Sequence, residues 1–291
     1  MICEIRKPRV VCWYSHGAAS LVAAKIAISE ADVEYPGHEI IVACIYLENE
    51  YHEPERLESV EEYLGLKLTI LRDEKYSANV DTVIEKTRYM SGVSGARCTK
   101  ELKKKVRLDW QRDDDIHVFG MSCDETDRID NLIDHEPELL LWSPLIDHNL
   151  SKESCFRIMK ENDIELPMMY KLGFHNNNCI GCVKASGAGY WNKIREHFPD
   201  VFETRAKQEK MLGVSLICMG KKKVENKHPE VLVNMSNDGY EPKIKKYTNK
   251  KGYTHESLRI PLRYLPVDAG SFKDLDIGDC GFFCETKEVN S

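Results

Sequence analysis

The sequence predicts an α/β fold, a mostly parallel sheet flanked by helices with a small cysteine-containing region toward the C-terminus. Two observations carry this. From Val10 to Trp142, short β-prone runs alternate with segments of helical periodicity, the pattern of βαβ units joined by right-handed crossovers. The chain, 291 residues and 42% hydrophobic, is also long enough for one large α/β domain with an appended region.

Each element has its own signal. Val10-Val11-Cys12-Trp13-Tyr14 is an apolar strand that runs into the turn Ser15-His16-Gly17-Ala18-Ala19-Ser20 and then an alanine-rich helix. Glu39 to Leu47 gives a second strand, and Glu53 to Leu64 a helix whose Pro54 suits the first turn. Lys67–Leu71, Ile116–Phe119 and Leu139–Trp142 complete five strands. Val80–Tyr89, the basic Lys100–Trp110 and Lys152–Asn162, N-capped by Ser151, are helices. Beyond these the alternation stops. Pro167-Met168-Met169-Tyr170 leads to the turn Asn178-Cys179-Ile180-Gly181-Cys182, and helices follow at Tyr190–His197 and Val201–Met211. From Gly213 the pattern is irregular apart from a strand at Val214–Met219. The chain thus divides into an α/β domain over residues 1–165, a Cys-x-x-Cys helical segment over 166–212 and a basic subdomain over 213–291.

No apolar run reaches the roughly 20 residues that cross a bilayer, and the N-terminus lacks the apolar core of a signal peptide. These features predict a cytoplasmic chain with no membrane partner. Eleven cysteines in such a setting read as core residues plus metal or catalytic thiols rather than a disulfide framework. Cys12, Cys44, Cys155 and Cys218 belong to the core group. The net charge is −7, yet Arg205–His255 holds twelve basic residues against five acids. Such a region is either a solvated face or a surface for a polyanion such as nucleic acid.

Three places carry chemistry. The Ser15–Ser20 turn sits between strand and helix, where amide N–H groups and the two hydroxyls suit phosphate or sulfate oxygens. The second is Gly120 followed by Glu125 and Arg128, a strand end where the arginine could pair with an anion or with its own glutamate. The third is a set of thiols: Cys98 before the basic helix, Cys179-x-x-Cys182, and Cys280 with Cys284 near the C-terminus. Their spacing allows an iron–sulfur cluster, a zinc site or a metal-free redox pair.

Ser15-x-Gly17-x-x-Ser20 after a first strand resembles the phosphate loop of the adenine nucleotide α-hydrolase superfamily. Gly120 with Glu125-x-x-Arg128 resembles that fold's later strand end. The order Cys98-Thr99-Lys100, Pro144-Leu145-Ile146, Cys179-x-x-Cys182 is similar to the phosphoadenosine phosphosulfate (PAPS) reductase-like family, phage and bacterial branch. The likeness spans residues 8 to 200 and the Cys280-Gly281 tail. It departs at His16 and Ala19, where the usual loop has glycine and aspartate, and at Arg97, where a second cysteine is usual.

The resemblance implies a five-stranded sheet and an enzyme of sulfur metabolism. An adenine nucleotide, ATP or PAPS, would sit on Ser15, His16, Gly17, Ser20, Glu125, Arg128 and Lys100. A 4Fe-4S cluster, with zinc as the alternative, would be held by Cys98, Cys179, Cys182 and Cys284. Cys280 or Cys284 would be the catalytic thiolate that reduces a sulfonucleotide. Two alternatives remain: an ATP-dependent sulfurtransferase that thiolates a nucleic acid with a thiol or sulfur donor protein, and a zinc-stapled nucleotide-binding protein without catalysis.

Overall fold

The computed structural model describes residues 6–92, 95–248 and 252–275, which fall into two compact units. Of the described residues, one unit gathers those up to Val80 with Thr99–Leu172; the other gathers those of Asp81–Cys98 with those of 173–275.

The first unit runs β1 (Arg9–Tyr14), α1 (Ala18–Glu34), β2 (Glu39–Ile45), α2 (Pro54–Leu64) and β3 (Leu68–Leu71). Helix α3 (Val80–Thr87) leads into the second unit, where β4 (Ser91–Gly92) and β5 (Gly95–Ala96) form a two-residue antiparallel ladder. The chain returns through a π-helical segment, Thr99–Lys104, and α4 (Lys105–Trp110) to β6 (Ile116–Phe119). Then come α5 (Thr126–His135), β7 (Leu140–Trp142), α6 (Pro144–Asp147), α7 (Lys152–Glu161) and α8 (Met168–Lys171). The basic helix expected over Lys100–Trp110 is therefore wound more widely in its first half, and this half buries Thr99, Glu101, Leu102 and Lys103.

The five strands stand in the order β3-β2-β1-β6-β7, every neighbouring pair parallel. Strand β1 lies at the centre and all six of its residues are buried. Val10, Cys12 and Tyr14 face one core with α1 and α7; Val11 and Trp13 face the other, with Phe119, Ile129 and Leu132. Burial on both faces is why β1 reads as an unbroken apolar run rather than an alternation. Helix α1 presents Ala23, Ala24, Ala27 and Ala31 to that first core, small side chains that let it lie close to the sheet. Truncating its fully buried Leu21 to alanine would cost about 2–5 kcal/mol.

The second unit continues with α9 (Ala188–His197), α10 (Pro199–Leu212), β8 (Ile217–Gly220), α11 (Lys221–Lys227), α12 (Pro229–Asn237), β9 (Lys243–Thr248) and β10 (Thr254–Ile260). The last three strands make an antiparallel sheet in the order β8-β10-β9. This corrects the irregular reading of the chain after Gly213. The reason lies in β9: Lys-Ile-Lys-Lys-Tyr-Thr is exposed at every position, so the strand has no apolar face to mark it. No helix among the described residues is long and apolar enough to cross a membrane.

Candidate nucleotide site and cysteine turn

In the first unit the chain builds β2 and β3 on one side of β1, then β6 and β7 on the other. The order reverses between β1 and β6, and ligands of open α/β sheets bind beyond the strand ends at such a switch point. Both candidate loops emerge there. Their closeness depends on Gly120: a Cβ at that position would lie 2.3 Å from the amide nitrogen and 2.4 Å from the Cα of Ser20. Only glycine lets the β6 end press against the first turn of α1.

The Ser15–Ser20 turn is bonded to itself. Ser20 Oγ accepts from the Ser15 amide and the Ser15 hydroxyl, each at 3.1 Å, and donates to the Gly17 carbonyl at 3.1 Å. A hydroxyl with its proton and both lone pairs in use is a brace for the turn, not a ready ligand donor. What the turn offers an anion is backbone. α1 begins after Gly17 with no side-chain cap and no acid in its first turn, so no side chain of its own offsets the positive end of its dipole. Tyr170 brings its hydroxyl to the same place, 3.6 Å from where a Gly17 side chain would begin.

His16 adopts a left-handed backbone (φ 61°), a conformation glycine takes at no steric cost. Its ring turns away from solvent to place Nε2 3.0 Å from Cys44 Sγ and 3.8 Å from Glu50 Oε2. Burial lowers its pKa, against the raising effect of Glu50. The same burial drives the Cys44 thiol pKa far up, so both groups are neutral at pH 7. Glu50 also holds Lys103 at 3.0 Å, and both side chains are buried. Lys103, not the exposed Lys100, is thus the lysine beside the loop residue His16.

Glu125 and Arg128 pair with each other across one helical turn, the second of the two readings their spacing allowed. Glu125 also accepts from the Ser122 amide at 3.2 Å and closes a capping box with Ser122. Its carboxylate therefore caps the turn that starts α5.

Arg56 and Glu50 act electrostatically on the loop residue His16, and motif reading missed them. Arg56 is two residues beyond Pro54, in the first turn of α2. A cation at the positive end of a helix runs against the dipole, and that is a signal visible in sequence.

The Cys179–Cys182 turn belongs to the second unit and is braced from α9 and α10. Tyr190 Oη accepts from the Cys182 amide at 2.9 Å and donates to the Cys179 carbonyl at 3.4 Å. Burial, with the two cysteines beside it, raises the Tyr190 pKa well above its usual value, so the phenol keeps that proton. Arg205 Nε donates to the Gly181 carbonyl at 2.9 Å. Gly181 takes φ 66°, and a Cβ there would meet Val201 at 2.5 Å, which is why glycine stands between the cysteines. Cys179 and Cys182 are both 7% exposed, and Cys98 is half-buried.

Among the described residues, no three His, Cys, Asp or Glu side chains are grouped to hold a metal ion. The described thiols thus do not fit a cluster or zinc site by themselves. Cys280 and Cys284 lie outside the described residues.

The antiparallel sheet of the second unit sorts its charges by face. Its register puts Lys243, Lys245, Tyr247, His255, Ser257 and Arg259 on one side. The other side carries Leu258 and Met219, both buried, and Glu256, which pairs with Lys221 and Lys246. The first face holds cations and an aromatic ring with no carboxylate. Where β8 has ended, a cavity of about 690 Å³ is lined by Lys221, Lys222, Lys223 and His255 together with the acids Glu225 and Glu256, so its charge is mixed. Cys218, expected in the core, is only half-buried on this open face.

No protein-family model matches the chain, and no curated protein matches it. Among solved structures it is similar to the U34-tRNA thiolase NcsA from Methanococcus maripaludis with its 4Fe-4S cluster. The two are 13% identical with a TM-score of 0.35, over 71% of this chain and 72% of the other.

Proposed function

We propose that this protein is an adenine-nucleotide-binding enzyme of sulfur chemistry, and that its reaction is the ATP-dependent thiolation of a nucleic acid. The observation that carries the nucleotide reading is the switch point, where an uncapped α1 N-terminus is fixed against the β6 end by Gly120. Phosphate oxygens would take the first-turn amides of α1 while Ser15 and Ser20 hold the turn in shape. In the reaction, a substrate oxygen attacks the α-phosphorus of ATP and pyrophosphate leaves. A hydrosulfide ion supplied by a sulfur donor then attacks the activated carbon and forms the carbon–sulfur bond, and AMP leaves with the substrate oxygen.

The sorted sheet face favours thiolation over reduction of a sulfonucleotide. Lys243, Lys245 and Arg259 beside Tyr247 suit a phosphodiester backbone with bases stacked on the ring. A small sulfonucleotide gives that face no role.

Two measurements test this. ATP at about 100 times its dissociation constant should stabilise the protein by about 2.7 kcal/mol and raise Tm by a few degrees. No change with ATP or PAPS would remove the nucleotide reading. Single-stranded RNA should bind the wild type with strong salt dependence, and Lys243→Glu with Lys245→Glu should weaken it at least about tenfold at low salt. Equal binding by that variant would remove the nucleic-acid substrate. Iron, sulfide and zinc assays of anaerobically purified protein separate the metal alternatives for Cys98, Cys179, Cys182 and Cys284.

A further inference from the structure

We infer that the cleft between α9 and residues 267–275 binds a single nucleotide unit, with the base against the Phe272 ring and the phosphate on Lys193.

The cleft lies wholly within the second unit and has a volume of about 540 Å³. That falls inside the range of about 300–1,000 Å³ usual for small-molecule sites. Its walls are fixed. Asn192 Nδ2 donates to the Pro266 and Ala269 carbonyls, each at 2.8 Å, and Arg195 Nη2 donates to the Leu265 carbonyl at 2.9 Å. Gly270 crosses α9 so closely that a Cβ there would lie 2.2 Å from the Gly189 amide nitrogen. Little ordering is left to oppose binding.

The lining joins an aromatic plate to a net positive charge. Phe272, in the helical turn Phe272–Leu275, is 72% exposed although its ring meets that of His175 at 4.4 Å between centroids. That edge contact steadies the ring and leaves a face open to stacking. Lys193, Arg195 and Glu196 are the charged residues of the lining. Glu196 lies 4.0 Å from His197, and Arg195 stacks on Phe202. Among the described residues no carboxylate pairs with Lys193, whose ammonium lies over the Phe174 ring at 5.7 Å. Helix α9 has no acid in its first turn, so its dipole adds to this charge.

A nucleotide supplies both partners, a flat ring for Phe272 and a phosphate for the lysine. An aliphatic acid would leave the ring face bare, and a neutral aromatic would leave Lys193 unmatched. The cleft shares no residue with the switch point of the first unit or with the lysine face of β9. A strand as the source of the nucleotide rests on the nucleic-acid reading; a free mononucleotide does not.

Calorimetry on the full-length protein with cytidine monophosphate, cytidine and a short oligocytidylate tests the site, cytosine being chosen to spare an adenine site. Cytidine monophosphate should bind the wild type saturably. Phe272→Ala, at an exposed position, should melt as the wild type does and bind cytidine monophosphate about tenfold more weakly, as loss of one stacked base does. Lys193→Gln should weaken cytidine monophosphate and leave cytidine unchanged. If the nucleotide belongs to a strand, the oligonucleotide binds more tightly than the monomer and loses the same factor in Phe272→Ala. If a free nucleotide fills the cleft, the oligonucleotide binds no more tightly. Equal binding of cytidine monophosphate by Phe272→Ala and the wild type would overturn the site. Strand binding that needs Lys243 and Lys245, with cytidine monophosphate unbound, would overturn the cleft and leave the proposed function standing. Phe272-dependent binding of cytidine monophosphate without any binding of single-stranded RNA would do the opposite.

Discussion

Arg205 and Arg56 are both buried guanidiniums, one in each unit, and their surroundings are opposite. Arg205 lies against the Asp81 carboxylate and the Gln208 amide oxygen, with its Nε on the Gly181 carbonyl. It ties α10 to α3 and to the cysteine turn, and its charge is matched. Arg9 and Arg107 follow the same pattern, on Asp115 and Glu136. Arg56 alone among the buried arginines of the described residues has a hydroxyl, a carbonyl and no carboxylate. An ion-paired buried arginine ties charged elements together; Arg56 ties β1 to the segment before α8 through a hydroxyl and a carbonyl, with the exposed Glu165 carboxylate acting on it only at longer range.

The largest expected effect breaks the matched case. Arg205→Met breaks the pair with Asp81 and frees the turn from the Gly181 carbonyl, and should cost about 3 kcal/mol in denaturant unfolding. Arg56→Met should cost less than about 1 kcal/mol without ligand, since removing an unpaired buried charge offsets its lost hydrogen bonds. Equal losses in the two would erase the distinction.

Next is Gly120→Ala, which tests whether the first unit's loops need their closeness. The added methyl meets Ser20 backbone, so a loss of about 3 kcal/mol is expected, with weaker ATP binding. A variant as stable as the parent would mean that the two loops can separate.

The pH dependence of stability sets the units against each other more gently. Burial pushes Glu209 up to about 7 from 4.5, against the opposing hydrogen bonds from the Leu216 and Leu262 amides. The folded state then binds the proton more tightly, and stability falls as pH rises through that window. Burial pushes His117 down to about 4 from 6.5, with His16 shifted in the same sense. There the unfolded state binds the proton more tightly, so stability rises with pH between about 4 and 6.5. Each slope is at most about 1.4 kcal/mol per pH unit. The wild type should show a shallow profile, Glu209→Gln a rising one and His117→Asn a falling one. Urea midpoints across pH 4 to 7 would show whether the two slopes cancel.

The smallest effect is chemical. Cys12, with its pKa pushed up to about 12, and the buried Cys44 should resist thiol reagents in the folded protein. Half-buried Cys123 and Cys218 should be labelled first of these four. Early labelling of Cys44, located by mass spectrometry, would show that the His16 pocket opens.

Much of the first unit was legible in the chain. β1 and β2 are apolar, β-branched runs, α1 is rich in alanine, and Pro54 and Ser151 mark the starts of α2 and α7. Those signals are local, and an apolar run or a residue that starts a helix is visible in one dimension. Strand β9 was not legible, because an exposed edge strand of lysines carries no period of burial.

The sequence by itself determined the alternation of strands and helices, the Ser15–Ser20 and Gly120–Arg128 loops, and the cysteine turn with its glycine. Tertiary structure alone decided how these groups are used. Ser20 turned inward to brace its own loop, Glu125 capped a turn, and Lys103 replaced Lys100 beside His16. Arg56 came to lie buried with no carboxylate in ion-pair contact among the described residues. Whether a polar group is satisfied depends on partners tens of residues away, and composition and spacing hold no record of that distance.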